Sequence, residues 1–267
     1  MTKSIAVLGC GWLGLPLAQH FLKQGFRVKG STTSEEKLPL LERSGIPSYL
    51  IQLFETEIKG DIRAFLTDVD ILVINVPPRL RNGKGQNYVK KMRLLLQAID
   101  ASTVKNVIFV SSTSVYGAAE GEVTEKTRPK PVTESGRQLL VSEKLFGKNH
   151  KFQTTVVRFG GLIGPKRHPV TMLSKKSSLT NGHHPVNLIH LNDCVRILYK
   201  IIAEDWWDEI LNAVHPEHPT KEEYYIDEAK KRGIPLPVYK GDNSRKGKII
   251  RSETLINVKG FTFTTTL

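Results

Sequence analysis

The sequence predicts an α/β fold built on a doubly wound parallel sheet, with a small C-terminal lobe. Two patterns carry this expectation. Short, wholly apolar, β-branched runs alternate with stretches of helical periodicity over the first 160 residues. Strands apolar on both faces belong to parallel sheets covered by helices on both sides. After Gly164-Pro165 the rhythm gives way to basic loops containing histidine and proline. The expected division is therefore 1–160 for the core and 161–267 for a lobe that acts as the substrate side and returns elements to the core.

The elements follow in order. Residues 4–8 (Ser-Ile-Ala-Val-Leu) read as a buried strand, and a helix then runs to about Gln24 with Leu13, Leu17 and Phe21 at helical spacing. Pro16 is tolerated because it lies in the first turn, and Gly25 supplies the stop. Strands are expected at 26–30, 49–53, 71–76, 107–110, 154–158 and 210–214. Helices are expected at 34–41, after Asp61 as a capping residue, from the late 80s to about Asp100, and at 134–147, 193–203 and 221–231. Residues 79–86 and 118–131 are polar and read as loops.

Between the first strand and first helix stands Gly9-Cys10-Gly11-Trp12-Leu13-Gly14. A G-x-G-x-x-G run in that context is a dinucleotide-binding turn, and the sheet is then Rossmann-like. The first glycine makes the turn, the second lets backbone amides approach a diphosphate, and the third lets helix and strand pack closely. The helix N-terminus faces the phosphates. Gly9, Gly11, Trp12, Leu13 and Gly14 are the expected contacts. NAD binders place an acid at the end of the second strand for the ribose hydroxyls. Here that end reads Ser31-Thr32-Thr33-Ser34, with Lys29 and Lys37 near, and Glu35-Glu36 come too late. NADP is favoured over NAD, with Ser31, Thr32 and Thr33 toward its 2′-phosphate. A Ser/Thr helix cap ahead of Glu35 is compatible with the same residues.

The chain has 267 residues and a net charge of +13. That charge suits an anionic ligand, but its lysines and arginines are scattered (Lys90-Lys91, Lys175-Lys176, Lys230 to Arg232, Arg245 to Lys248) and form no stripe interleaved with aromatics. Nucleic acid is disfavoured as a partner on that ground. There is no long uncharged apolar run for a membrane span, and no secretory leader is expected. The two cysteines, Cys10 and Cys194, make no disulfide framework. A cytoplasmic location is expected. His183-His184 lack metal-like spacing, so no metal is expected. Trp206-Trp207 read as packing or as a contact to the lobe or a second copy, and a homodimer is compatible with the sequence.

At Ser111-Ser112-Thr113-Ser114-Val115-Tyr116-Gly117 the chain resembles the extended short-chain dehydrogenase/reductases, the NAD(P)-dependent epimerase/dehydratase group. Further blocks keep the family's order: Val157 to Pro165, Asn187-Leu188-Ile189-His190-Leu191-Asn192-Asp193, Asn212-Ala213, and Lys246-Gly247-Lys248-Ile249-Ile250. The resemblance spans nearly the whole chain. It implies coenzyme contacts at Val76, Pro77, Ser111, Phe159 and Gly160, and substrate contacts at Gly161, Arg167, His168, His190 and Arg251. It also implies that Ser112, four positions before the V-Y-G tyrosine, hydrogen-bonds the reacting oxygen beside the nicotinamide. A local backbone bond from that serine is the plainer reading.

The family's next requirement is Tyr-x-x-x-Lys on the following helix, in which the lysine one turn on lowers the tyrosine pKa. Aligned on Glu143, Ser135 stands at the tyrosine position and Leu139 at the lysine position. The sequence resembles a small bacterial branch of the family that lacks the pair. Three outcomes stay open: loss of activity, leaving a dinucleotide-sensing regulator or scaffold; relocation of the proton donor to Tyr116, His168 or His190 with Arg137 as cation; or a reaction needing no strong acid–base pair. Lys166-Arg167-His168, His183-His184 and His190 give the lobe a cationic lining suited to an anionic small-molecule substrate. The expected function is a short-chain reductase-like or nucleotide-sugar epimerase/dehydratase-like protein with a non-standard active site.

Overall fold

The computed structural model describes residues 2–78, 80, 85–241 and 246–267. The loop expected at 79–86 lies outside the described residues at 79 and 81–84, and so does Arg245.

Seven strands form the main sheet: β1 Ser4–Leu8, β2 Arg27–Thr32, β3 Ser48–Leu50, β4 Ile71–Ile74, β5 Asn106–Ser112, β6 Gln153–Phe159 and β7 Ile210–Ala213. Their order is β7-β6-β5-β4-β1-β2-β3. The chain winds outward from β1 to β3, returns to lay β4 beside β1, and winds outward the other way. The neighbours β1–β2, β1–β4, β2–β3 and β4–β5 are parallel, with Val7 opposite both Gly30 and Val73. β1 and β4 are buried throughout, which is why they read as unbroken apolar runs rather than alternating ones. The winding direction reverses between β1 and β4, the place where open α/β sheets bind ligands.

By internal contacts the chain forms two compact units. One comprises 1–115, 131–158 and 195–210; the other comprises 116–130, 159–194 and 211–267. The first has its core in side chains such as Ile5, Val7, Leu17, Phe21, Leu72 and Phe109, and Phe109 stacks on Phe146 at 5.3 Å. The second has a core of its own around Ile163, Val170, Val186, Leu188, Tyr224, Tyr225 and Ala229.

Several expectations hold to within a few residues, because caps and stops are local. Asp61 accepts from the Ala64 N–H at 2.9 Å, and Thr133 accepts from the Gly136 N–H at 3.1 Å to start the helix Glu134–Gly147. Gly25 takes φ +85°, which ends the helix Gly14–Lys23. Others are corrected. The strand expected at 49–53 breaks at Ile51, and Gln52–Leu53 turns into a small antiparallel pair with Ile58–Lys59. The helix expected at 34–41 is a 3₁₀ turn, Glu35–Lys37, followed by Leu38–Arg43 with its proline in the first turn. The loop expected at 118–131 contains the strand Gly121–Val123, which pairs with Lys248–Ile250 more than 120 positions later.

Candidate functional site

The glycine turn is defined by what glycine alone permits. Gly9 takes φ +102°, and a Cβ there would stand 2.7 Å from the Asn75 carbonyl oxygen. A Cβ on Gly14 would stand 2.2 Å from the Gly9 oxygen, far inside van der Waals contact. A Cβ on Gly11 would meet no atom within 4 Å. The turn is thus tight on the side facing β4 and open at Gly11. Helix Gly14–Lys23 starts with no side-chain cap and no acid in its first turn. Uncapped first-turn amides carry the positive end of the helix dipole. A diphosphate fits this shape: an opening beside Gly11, backbone amides, and no carboxylate to repel it. Trp12 is half-buried and Leu13 buried in the same turn.

Two side chains brace the turn. Ser31, buried at the end of β2, accepts from the Gly9 N–H through Oγ at 3.1 Å, and its carbonyl accepts from the Cys10 N–H at 2.7 Å. Asn75, the residue after β4, donates from Nδ2 to the Gly9 carbonyl at 3.0 Å. Sequence reasoning missed Asn75. The only signal for it was a polar residue ending an otherwise apolar strand. Thr32 is buried and its Oγ1 accepts from the Ser34 N–H at 3.2 Å, whereas Thr33 is exposed. Lys29 is pinned to the Ala64 and Thr67 carbonyls at 2.8 Å each. Val76 gives its carbonyl to the buried Tyr88 hydroxyl at 2.8 Å, and Pro77 is exposed.

At the end of β5, Ser111 is buried and donates to Glu143 Oε1 at 2.5 Å. Arg158 on β6 meets the same carboxylate, with Nη2 at 2.7 Å from Oε2 and Nε at 3.1 Å from Oε1. Both partners are nearly sealed, at 3% and 4% side-chain exposure. This network ties helix Glu134–Gly147 to two strands and leaves the carboxylate well supplied with donors. Ser112 is half-buried, and its Oγ accepts from the Ser114 N–H at 3.2 Å. Its own hydroxyl proton stays available for donation. Ser135 is half-buried, and Leu139 is 4% exposed and part of the core.

The second unit holds the remaining candidates. Tyr116 is buried, and its hydroxyl donates to Asn212 Oδ1 at 2.8 Å, while Asn212 donates to the Arg251 carbonyl at 3.1 Å. Phe159 is buried. Gly160 and Gly161 lie against Asn187, whose carbonyl accepts from the Gly161 N–H at 2.8 Å and stands 2.7 Å from a Cβ placed on Gly160. His168 does not behave as a surface cation. It is buried with Nε2 3.0 Å from the Tyr224 hydroxyl, and Nδ1 accepts from the Val170 N–H at 3.2 Å. Burial first, and the nearby Arg232 charge second, push its pKa down to about 4, against the pull of Glu228. Arg167 is exposed. His190 ends the strand Leu188–His190, and its Nδ1 accepts from the Asn192 N–H at 3.2 Å. Arg251 forks onto Glu122 Oε1 at 2.7 and 3.1 Å, on the wall of a cavity of about 440 Å³ also lined by His218 and Glu253. Among the described residues no cluster of three or more His, Cys, Asp or Glu side chains is placed to hold a metal ion, and no helix is long and apolar enough to cross a membrane.

Comparison with known proteins agrees with the turn. Residues 9–189 match the family described as NAD(P)H-binding. Protein YeeZ of Escherichia coli K12 is 36% identical over 266 residues, covering 98% of this chain and 96% of that protein. UDP-glucuronic acid 4-epimerase from Bacillus cereus, solved in complex with NAD, shares the fold at TM-score 0.79 and 19% identity, over 99% of this chain and 92% of that one. UDP-N-acetylglucosamine 4-epimerase from Bacillus cereus does so at TM-score 0.79 and 16% identity, over 99% and 92%. The chain accordingly belongs to the NAD(P)H-binding family, on the Rossmann-type fold of the NAD-dependent epimerases and dehydratases of the short-chain dehydrogenase/reductase group.

Proposed function

We propose that this protein binds NADP(H) at the Gly9–Gly14 turn and works on an anionic small molecule as an epimerase/dehydratase-type protein with a non-standard active site. The observation that carries the proposal is the turn itself, which is closed against Asn75 and open at Gly11. Gly11, Trp12, Leu13 and Gly14 hold the diphosphate, and Thr33 with the exposed Lys37 faces the 2′-phosphate in place of an acid. When bound, the coenzyme supplies a hydride donor or acceptor. Ser112 keeps a hydroxyl proton to orient a reacting oxygen while its Oγ accepts from the Ser114 N–H. Gly161, Arg167, His190 and Arg251 stand on the substrate side. The solved UDP-sugar epimerases of the same fold make a nucleotide-sugar-like anion the first substrate class to try.

A second reading, binding without turnover, is favoured by three observations. Leu139 is buried where the family's lysine would act, Tyr116 spends its hydroxyl on Asn212, and His168 is a buried, neutral ring. Titrating NADPH and NADH by fluorescence, then following NADPH oxidation against a panel of carbonyl and UDP-sugar substrates, separates the readings. Tighter NADPH binding with turnover on one substrate supports the first. Tight binding with no turnover supports the second. Absence of binding by either coenzyme refutes both.

A further inference from the structure

One peptide group of the glycine turn is tied to two different strands. The Gly9–Cys10 peptide donates its N–H to the Ser31 carbonyl on β2 at 2.7 Å. Its carbonyl, on Gly9, accepts from Asn75 Nδ2 at 3.0 Å, and Asn75 directly follows β4. The same oxygen also accepts from the Gly11 N–H at 2.9 Å, so both of its lone pairs are in use. The side-chain nitrogen of Asn75 must be the atom that faces Gly9, because the amide turned the other way would set two acceptors against each other.

The side chain of Asn75 lies between the first and last glycines of the motif. Its Nδ2 is bonded to Gly9 and stands 3.0 Å from the Cβ position of Gly14. Pairing β4 with β1 does not require an asparagine. The Asn75 backbone N–H donates to the Leu8 carbonyl at 3.0 Å, and any residue but proline would do the same. What asparagine adds is the side-chain donor to the turn. A segment with glycine at 9, 11 and 14 has the widest backbone freedom, and that freedom is lost when a ligand orders it. A turn already fixed in the unliganded protein spares the ligand that cost. The direction of the amides at the start of helix Gly14–Lys23 follows from the plane of the Gly9–Cys10 peptide, three residues before them.

We infer that Asn75 is a positioning residue for the coenzyme: through the Gly9 carbonyl its side chain fixes the peptide plane that aims the first-turn amides at the diphosphate. This rests on the coenzyme reading above. Asn75 acts on the ligand through Gly9.

The test uses the full chain. Asn75→Leu keeps the size of the side chain and removes the donor. Should it not fold, Asn75→Ser, whose shorter side chain drops the same bond, is read in its place. Val107→Ala, buried near the start of β5, is the control that loosens the sheet away from the turn. NADPH and NADH are titrated by fluorescence, and hydrogen exchange of the Gly11 amide is followed by NMR without coenzyme. The inference expects Asn75→Leu to weaken the better-bound coenzyme at least about ten-fold and to speed Gly11 exchange. It expects Val107→Ala to lower the Tm and leave both of those readings as in wild type. Equal loss of coenzyme affinity in the two variants would make Asn75 a general stabiliser and overturns the inference. Unchanged Gly11 exchange in Asn75→Leu overturns it as well. Wild type that binds neither coenzyme sinks the coenzyme reading and this inference with it, whereas wild-type binding with undiminished affinity in Asn75→Leu sinks this inference alone.

Discussion

Gly11 and Gly14 stand three residues apart in one turn, and replacing each by alanine should have opposite consequences. At Gly14 the new methyl would lie 2.2 Å from the Gly9 carbonyl oxygen and 3.0 Å from Asn75 Nδ2. Backbone must give way, because the nearest atom is not the end of a flexible side chain. Overpacking of this kind costs about 1–3 kcal/mol, offset by up to ~1 kcal/mol from alanine's better helix propensity. For a chain of this size each kcal/mol moves the Tm by about 2–4 °C. With a net cost of about 1–2 kcal/mol, a fall of roughly 2–8 °C follows for Gly14→Ala. At Gly11 the methyl meets nothing within 4 Å, and φ is not in the left-handed region. Gly11→Ala should leave the Tm unchanged or raise it slightly, because alanine restricts the unfolded chain by about 0.4–1 kcal/mol. The same methyl occupies the space that a diphosphate needs, so NADPH affinity should fall at least ten-fold, a loss of about 1.4 kcal/mol. Differential scanning fluorimetry and NADPH fluorescence titration of both variants give the four numbers. Undiminished affinity in Gly11→Ala would refute the placement of the coenzyme, and an unshifted Tm in Gly14→Ala would refute the packing.

Three further outcomes are expected. Glu143→Gln leaves Arg158 buried without its carboxylate, and urea unfolding should show a loss of about 3–5 kcal/mol, less when Arg158→Met is added. Tyr116→Phe removes the donor to Asn212 Oδ1; stability should drop by about 1–3 kcal/mol while NADPH affinity stays as in wild type, and a drop in affinity instead would put Tyr116 at the coenzyme. His168 has its native pKa lowered from 6.5 to about 4, so between those values the unfolded chain binds a proton that the native chain refuses. Its contribution is intact above pH 6.5 and is lost as pH falls toward 4, by about 3 kcal/mol in all. Tm measured against pH should therefore fall less steeply over that window in His168→Gln than in wild type.

The histidines show how far residue type reaches. His168 was expected among the cations of the lobe because lysine and arginine precede it in the chain. Burial, the Arg232 charge and the bonds to Val170 and Tyr224 decide otherwise, and Tyr224 and Arg232 lie more than fifty positions away. Tyr116 carries the same lesson. Its place in a V-Y-G run was legible, but the group that accepts from its hydroxyl is Asn212, on β7. Ser31 was legible as a hydroxyl at the end of the second strand, but not that its Oγ accepts from the Gly9 N–H. Asn75 had no sequence signal beyond a polar residue at the end of an apolar run.

By itself the sequence determined the strand–turn–helix opening, the caps at Asp61 and Thr133, the stop at Gly25, the parallel character of the sheet, and the absence of Tyr and Lys at positions 135 and 139. These depend on local backbone sterics, on hydrogen bonds spanning three or four residues, and on apolar periodicity, all of which are written along the chain. Tertiary structure alone decided which partner each hydroxyl takes, which histidine is neutral and which acid pairs with Arg158. Those depend on burial and on partners from distant segments, and the charge or proton a group carries in a folded protein is set by that surrounding rather than by its neighbours in the chain.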